Sequence, residues 1–226
     1  MATHRPLRLS IKPRKEVRMS AGTTAVIPRR RPNTNTGLSN GVLGIMCFLT
    51  SEMALFGSLI FMYLYVRRAA PVWPPLIPGL HRYYERFDWH LPTVNTVVLL
   101  SSGVTMHFAY QALRKGDTQR MLFLLIVTIV LGVGFLSGQA YEYKHLTDVA
   151  FSTQTYGATF FLLTGLHGAH VTGGVVFLLV VLIGTLRGKY TQQNDMVVHA
   201  ATLYWHFVDA VWVVLFALFY LTVPIS

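Results

Sequence analysis

The sequence predicts an all-α integral membrane protein built as a bundle of five transmembrane helices. Five long apolar runs can each cross a hydrocarbon core of about 30 Å, which takes about 20 helical residues. Charged residues make up only 12% of the 226 residues and hydrophobic ones 53%, which differs clearly from a soluble domain. The predicted spans are 41–66, 92–113, 121–141, 156–186 and 199–223.

The segment before the first span, residues 1–38, is predicted to be a basic and largely irregular arm. It is rich in arginine and proline and lacks apolar periodicity. Its charges are not followed by a short apolar stretch and cleavage site, so a secretory signal is not expected. The arm supplies most of the net charge of +10, which we attribute to topology and anionic lipid rather than to nucleic-acid binding. Residues 39–226 are predicted to form one membrane domain.

Two acidic residues lie near the middle of predicted spans, Glu52 in the first and Asp209 in the fifth. An acidic side chain at that depth costs about 2.5–3.5 kcal/mol on insertion scales, so each needs a partner or a function. One interpretation is a packing hydrogen bond inside the bundle. The other is a site for a proton or for a lipid headgroup.

The second and third spans follow a loop rich in proline and aromatic residues, which is predicted to lie along the outer surface. Pro92 opens the second span, where its missing N–H costs nothing. The third span ends around Gln139 and Glu142. Because Glu142 lies near the membrane boundary, its ionisation costs less than that of Glu52, and it is the weaker functional candidate.

The fourth span carries small residues at intervals of three and four, a pattern that lets another helix approach closely. Its His167 and His170 are predicted to point to a similar side. Two such histidines could bind a metal, but a metal site usually needs three or four ligands. The spans add only His107 and His206 as candidates, so interhelical hydrogen bonding is the favoured interpretation. In the fifth span, His206 and Asp209 are spaced to pair with each other.

The distribution of basic residues predicts the topology. With the amino end inside, the inner segments hold about 14 of the 19 lysines and arginines, and most of this bias comes from the arm. The sequence therefore predicts a cytoplasmic amino end and a carboxyl end outside.

Several segments occur in order through all five spans: Ser51-Glu52, LLSSGVT at 99–105, QAYEY at 139–143, YGATFF and TGLHGAHV within 156–171, and YWHFVDAVW at 204–212. Together they resemble the signature segments of subunit III of the haem–copper oxidases. The likeness is to the short five-helix bacterial form, because larger members have two further helices that form a separate arm of a lipid-filled cleft. Family members often carry paired histidines where this chain has Tyr110 and Gln111, and those positions inherit no role.

The resemblance implies a non-redox subunit of a proton-pumping terminal oxidase, which reduces oxygen to water in aerobic respiration. It implies that this chain carries no catalytic centre, haem, copper or other metal, and that the haems and copper belong to subunits I and II. The expected partners are those two subunits and phospholipids, with membership of a respiratory supercomplex left open. The expected location is the bacterial plasma membrane.

The same resemblance assigns residues to two groups. Arg187, assisted by Lys189, is expected to contact a lipid headgroup. The buried polar family positions are Glu52, Gln139, Glu142, His167, His170, His206 and Asp209.

Three alternatives stay open at this point. The chain could be an accessory subunit of a nitric-oxide reductase, which resembles the same family. It could be an independent transporter or proton channel that uses the acidic residues and histidines as a relay, although no inverted repeat supports a transporter. A membrane metalloenzyme is disfavoured because ligands are sparse. The electron donor of the oxidase, cytochrome c or quinol, is not indicated by the sequence.

Overall fold

The computed structural model describes residues 40–71, 73, 90–152 and 154–222. In this part the chain forms five long helices and one isolated β-bridge, with no other strand pairing. The predicted arm, most of the outer loop and the last four residues lie outside the described residues. The helices are α1 (Asn40–Ala69), α2 (His90–Arg114), α3 (Thr118–Ser152), α4 (Gln154–Leu186) and α5 (Met196–Phe216), and a π-helical turn over Ala217–Leu221 follows α5.

The all-helical prediction is confirmed, and four of the five predicted spans are confirmed as helices long and apolar enough to cross a membrane. These four are Asn40–Ala69, Thr118–Lys144, Thr155–Leu186 and Met196–Leu221. Helix α2 is not among them. Its 25 residues are long enough at about 1.5 Å per residue, but polar side chains occur along its whole length and lower its apolar character.

Helix α3 differs most from its predicted bounds. The predicted span ends at residue 141, where the apolar run ends, but the helix continues to Ser152. Residues 142–152 contain neither glycine nor proline, so nothing in the local sequence interrupts the helical backbone. Helix α3 therefore ends 11 residues after its apolar run ends.

Helices α2 to α5 form the core, and α1 lies at its edge against α4 and α5. Only Phe56 and Tyr63 are buried in α1. By contrast, α5 buries both Trp205 and Trp212, which are among the largest fully buried side chains of the described residues. The core is therefore built around α5, with α1 attached to its outside.

Small residues make room for the tryptophans. A Cβ at Gly132 of α3 would lie 2.8 Å from the Trp205 ring, and a Cβ at Gly174 of α4 would lie equally close. The Trp205 indole N–H donates to Ser102 Oγ at 2.9 Å. The Trp212 indole N–H donates to Thr96 Oγ1 of α2 at 2.9 Å. Gly174 directly follows the predicted small-residue stripe of α4 and receives a side chain from the same bundle.

The helix ends fall into two groups. The turn between α2 and α3 and the connection between α4 and α5 lie at one end, which we call the basic end because it carries Arg114, Lys115, Arg120, Arg187 and Lys189. The last turn of α1 lies at the opposite end. There Arg67 donates to the hydroxyl of Thr222 at 2.6 Å and to its carbonyl at 2.8 Å.

Candidate functional site

Glu52 of α1 and His170 of α4 form a pair between the two helices. The distance from Glu52 Oε2 to His170 Nε2 is 2.9 Å, and their side chains are 16% and 15% exposed. The His170 ring packs against Phe56 at an interplanar angle of 62°, with 5.0 Å between ring centroids. Glu52 lies about 18 Å along α1 at 1.5 Å per residue, close to its middle. The acidic residue of the first span therefore has a direct partner on another helix.

The 2.9 Å distance between His170 Nε2 and Glu52 Oε2 requires a hydrogen between the two atoms. His170 Nδ1 lies 2.8 Å from the carbonyl oxygen of Leu166, which can only accept a hydrogen bond, so Nδ1 carries a hydrogen. In one arrangement, Nε2 accepts a hydrogen bond from a neutral Glu52. In the other, His170 is an imidazolium and its Nε2 donates a hydrogen bond to the Glu52 carboxylate. The pair has no net charge in either arrangement, which is the state that an apolar surrounding favours.

Asp209 of α5 forms a second and looser cluster with His206. The distance from His206 Nδ1 to Asp209 Oδ2 is 3.8 Å, which is too long for a hydrogen bond. Asp209 Oδ1 is buried without a hydrogen-bond partner among the described residues. Gly103 of α2 is required beside this carboxyl group, because a Cβ there would overlap Oδ2. Asp209 is thus held by close packing more than by hydrogen bonds.

The histidine of this cluster reaches the bundle surface. The His206 side chain is 42% exposed, and its ring centroid lies 6.1 Å from that of His107 on α2. His107 Nε2 in turn lies 2.8 Å from the side-chain nitrogen of Gln111. The polar groups of α2 and α5 therefore form a discontinuous row, interrupted between His206 and Asp209 and between the two rings.

His167 differs from His170, although the sequence predicts that the two point to a similar side. His167 is fully buried, with its ring stacked on Trp212 at 5.0 Å and perpendicular to the ring of Phe135 at 5.8 Å. Neither ring nitrogen has a hydrogen-bond partner among the described residues. The two histidines therefore contact different neighbours.

The remaining polar positions predicted on α3 link it to other parts of the bundle. Gln139 donates to the carbonyl of Thr164 on α4 at 2.9 Å, and its side chain packs where a Cβ at Gly168 would lie 3.1 Å away. Glu142, which is buried, accepts a hydrogen bond from the Tyr220 hydroxyl at 2.6 Å. The carboxyl group of Glu142 thus anchors the π-helical turn that follows α5.

Comparison with known proteins assigns this sequence to a family. A family model described as cytochrome c oxidase subunit III matches residues 28–223. The chain belongs to the cytochrome c oxidase subunit III family. The resemblance found in the sequence is therefore confirmed.

Similar proteins named cytochrome c oxidase subunit 3 come from distant organisms. One from Synechocystis sp. is 39% identical over 181 residues, which cover 80% of this chain and 75% of the relative. One from Thermostichus vulcanus is 37% identical over 181 residues, covering 80% and 86%. One from Loxodonta africana is 39% identical over 183 residues, covering 78% and 67%.

The two cations predicted to contact lipid, Arg187 and Lys189, follow α4 in this subunit III chain. The helix closes with Gly188 at φ 68°, a conformation that glycine adopts at little cost. Both basic side chains are exposed at the basic end, and neither has an ion-pair partner among the described residues. Their position suits a phosphate group, and their role stays a prediction.

One polar cluster of this subunit III chain was not predicted from the sequence. Arg114 at the end of α2 donates to Asp195 Oδ2 at 2.9 Å, and Tyr110 donates to the same oxygen at 3.1 Å. Burial alone would raise the pKa of Asp195, but the hydrogen bonds and the charge of Arg114 leave it below its ordinary value. The sequence shows opposite charges near the ends of two helices, but only the fold brings Arg114 and Asp195 together.

Metal ligation is not supported by any cluster in the described residues. No group of three or more histidine, cysteine and acidic side chains is placed to hold an ion there. Cys47 is exposed on α1. The expectation that the subunit III chain carries no haem or metal stays a prediction.

Proposed function

We propose that this chain acts as the non-redox subunit III of a proton-pumping haem–copper oxidase in a bacterial plasma membrane. In this role it binds subunit I, stabilises it during turnover and supports proton uptake, while the haems and copper of subunits I and II reduce oxygen. The observation that carries the proposal is the Glu52–His170 pair, in which the two ionisable groups satisfy each other across helices. A pair used in this way stabilises the bundle and leaves neither group free to bind a cofactor.

The attachment of α1 supports a role in a larger assembly. Thirty residues form this helix, but only Phe56 and Tyr63 are buried. The exposed side chains of α1 are mostly large and apolar, for example Phe61 at 70%. The resemblance implies that larger family members carry two further helices beside the five predicted here. We propose that partner subunits and phospholipid cover α1 in their place.

The proposed topology uses α2 as a fifth span and places the basic end in the cytoplasm. Outside the arm the sequence is even, with five lysines and arginines at the basic end and five in the segments predicted to face outward: Arg67, Arg68, Arg82, Arg86 and Lys144. The basic residues of the arm therefore carry the support for a cytoplasmic basic end. The amino end would then be inside and the carboxyl end outside, with residues 1–38 as an arm separate from the membrane domain.

The buried polar positions are proposed to serve packing. His170, Gln139 and Glu142 each form a hydrogen bond to another part of the bundle. His167 serves through ring stacking. A proton relay is the competing role, but the row that would carry it is interrupted at the 3.8 Å separation of His206 and Asp209. Arg187 and Lys189 are proposed to hold a lipid phosphate at the cytoplasmic surface.

Removal of this subunit from the purified oxidase tests the supporting role. The stripped complex should reduce oxygen at first and then lose rate with each turnover, and the loss should be faster at higher pH, where protons are scarce. Adding the subunit back is the control and should restore the lifetime. Immediate inactivity, or a lifetime equal to that of the intact complex, would contradict the proposal.

The nitric-oxide reductase alternative predicts different partners. The relatives described above are named cytochrome c oxidase subunit 3, which favours the oxidase. Affinity purification of the native complex through this chain should therefore recover subunits that contain haem and copper, and the complex should consume oxygen. Recovery of a complex that reduces nitric oxide but not oxygen would support the alternative.

A further inference from the structure

A cavity of about 180 Å³ lies at the basic end, where α2 ends and α3 begins. It is built from the last two turns of α2, the tight turn after it and the first turn of α3. Gly116 in that turn has φ 81°, which lets the chain reverse within three residues. The cavity is lined by Phe108, Gln111, Ala112, Lys115, Asp117 and Arg120.

The polar wall of the cavity has an excess of positive charge. Lys115 and Arg120 are exposed, and neither has an ion-pair partner among the described residues. Asp117 is the one acidic residue in the wall, and its Oδ1 accepts a hydrogen bond from the backbone N–H of Arg120 at 3.0 Å. That carboxylate is engaged as the cap of α3. The side chains of the wall therefore leave one net positive charge to be compensated.

The remaining wall is apolar and leads toward the middle of α2. Phe108 lies in the wall of the cavity and is 46% exposed. Val104 and Leu100 lie one and two turns further along the same helix and are 56% and 40% exposed. Residues four apart share a helix face, so these three side chains form an apolar strip that starts at the cationic cavity.

We propose that this cavity binds the headgroup of an anionic glycerophospholipid. Lys115 and Arg120 contact the phosphate, and one acyl chain lies along Phe108, Val104 and Leu100. A guanidinium can hold two phosphate oxygens at once, and an ammonium adds a point charge. The excess positive charge favours a lipid with a net negative charge over a zwitterionic one. The site lies on α2 and α3, apart from Arg187 and Lys189 after α4.

The test uses the purified complex that contains the full chain, exchanged into nanodiscs of phosphatidylglycerol and phosphatidylcholine. Native mass spectrometry counts the phosphatidylglycerol molecules retained. The double variant Lys115→Gln/Arg120→Gln should retain one fewer, with affinity lower by about thirtyfold for two lost cation contacts. Arg68→Gln, an exposed arginine at the opposite end, is the matched control and should retain the wild-type number.

A second variant raises the charge of the site instead of lowering it. Asp117→Asn removes the negative charge, and asparagine can still cap α3, so phosphatidylglycerol should bind more tightly. Unchanged retention in the double variant, or weaker binding in Asp117→Asn, would overturn the proposal. Equal retention of phosphatidylcholine would refute the preference for an anionic lipid. Displacement of the lipid by millimolar inorganic phosphate would make the cavity a simple anion site. None of these results depends on which catalytic subunits accompany the chain.

Discussion

Replacement of Glu52 separates the two roles that its position allows. In Glu52→Leu, His170 Nε2 loses its partner while Nδ1 keeps the Leu166 carbonyl. In Glu52→Gln, the amide N–H can still donate to Nε2, but the side chain cannot pass a proton. The two variants therefore differ in packing, and both lack the proton of the carboxyl group.

The expected magnitude follows from the contacts of α1. The reference state is α1 still inserted but detached from the bundle, so the insertion cost of the acid cancels. An interhelical hydrogen bond in a membrane is worth about 0.6 kcal/mol on average and up to about 1.7, and a buried polar group left unpaired costs about 1–3 kcal/mol. We expect Glu52→Leu to weaken the docking of α1 by about 1–2 kcal/mol. Glu52→Gln should change it by less than about 0.5 kcal/mol.

The single cysteine of the chain makes this measurable. Cys47 is exposed on α1, so a fluorophore there reports the distance from α1 to the tryptophans of α5 during a titration with denaturing detergent. Met53→Leu, at a residue 59% exposed on the same helix, is the control and should match wild type. The pumping ratio of the assembled oxidase is measured in parallel.

Two results would refute the reasoning. If Glu52→Leu docks as tightly as wild type, the pair does not hold α1. If Glu52→Gln docks normally but the assembled oxidase pumps fewer protons per electron, Glu52 acts as a relay and the packing role alone is wrong.

Three further predictions concern other parts of the bundle. Gly103→Ala should destabilise the bundle by more than about 2 kcal/mol, because the added Cβ overlaps the Asp209 carboxyl group. Gly57→Ala is the control and should be tolerated, because nothing lies within 4 Å of its Cβ. Equal stability of the two variants in detergent unfolding would contradict this prediction. Because the pKa of Asp195 is depressed, its ionised carboxylate stabilises the fold above the ordinary pKa of 3.8, and this stabilisation is lost as the pH falls below that value. Wild type and Asp195→Asn should therefore converge in stability in acid and differ at neutral pH. A periplasmic reporter fused after Ser226 should be active and one in the α2–α3 turn silent, and the reverse would refute the proposed orientation.

The helices could be predicted from the sequence because length and apolar content determine them. Predicted and observed ends agree closely for α1 and α4, where the apolar run and the helix end together. They differ for α3, because a backbone without glycine or proline stays helical after its side chains become polar. The division at residue 38 stays a prediction, since the arm lies outside the described residues.

The candidate site could be predicted only in part. The sequence identifies Glu52 as a residue that needs a partner, but His170 lies 118 positions away and only the fold selects it. His167 and His170 are separated by about 60° around the helix. That angle is small in a helical projection, but α4 packs against several helices, so it is enough to turn one ring toward Trp212 and the other toward α1.

Helix α2 shows why hydropathy underestimates some helices of a membrane bundle. Thr96 and Ser102 lower its apolar content, but each accepts the indole N–H of a buried tryptophan. Thr105 bonds Thr128 of α3 at 2.8 Å, and Asn95 is buried against Gly138. Hydropathy counts these side chains as if each faced lipid alone, whereas the hydroxyl groups of Thr96, Ser102 and Thr105 bond to neighbouring helices. The polarity of α2 is therefore compatible with the membrane span that we propose for it.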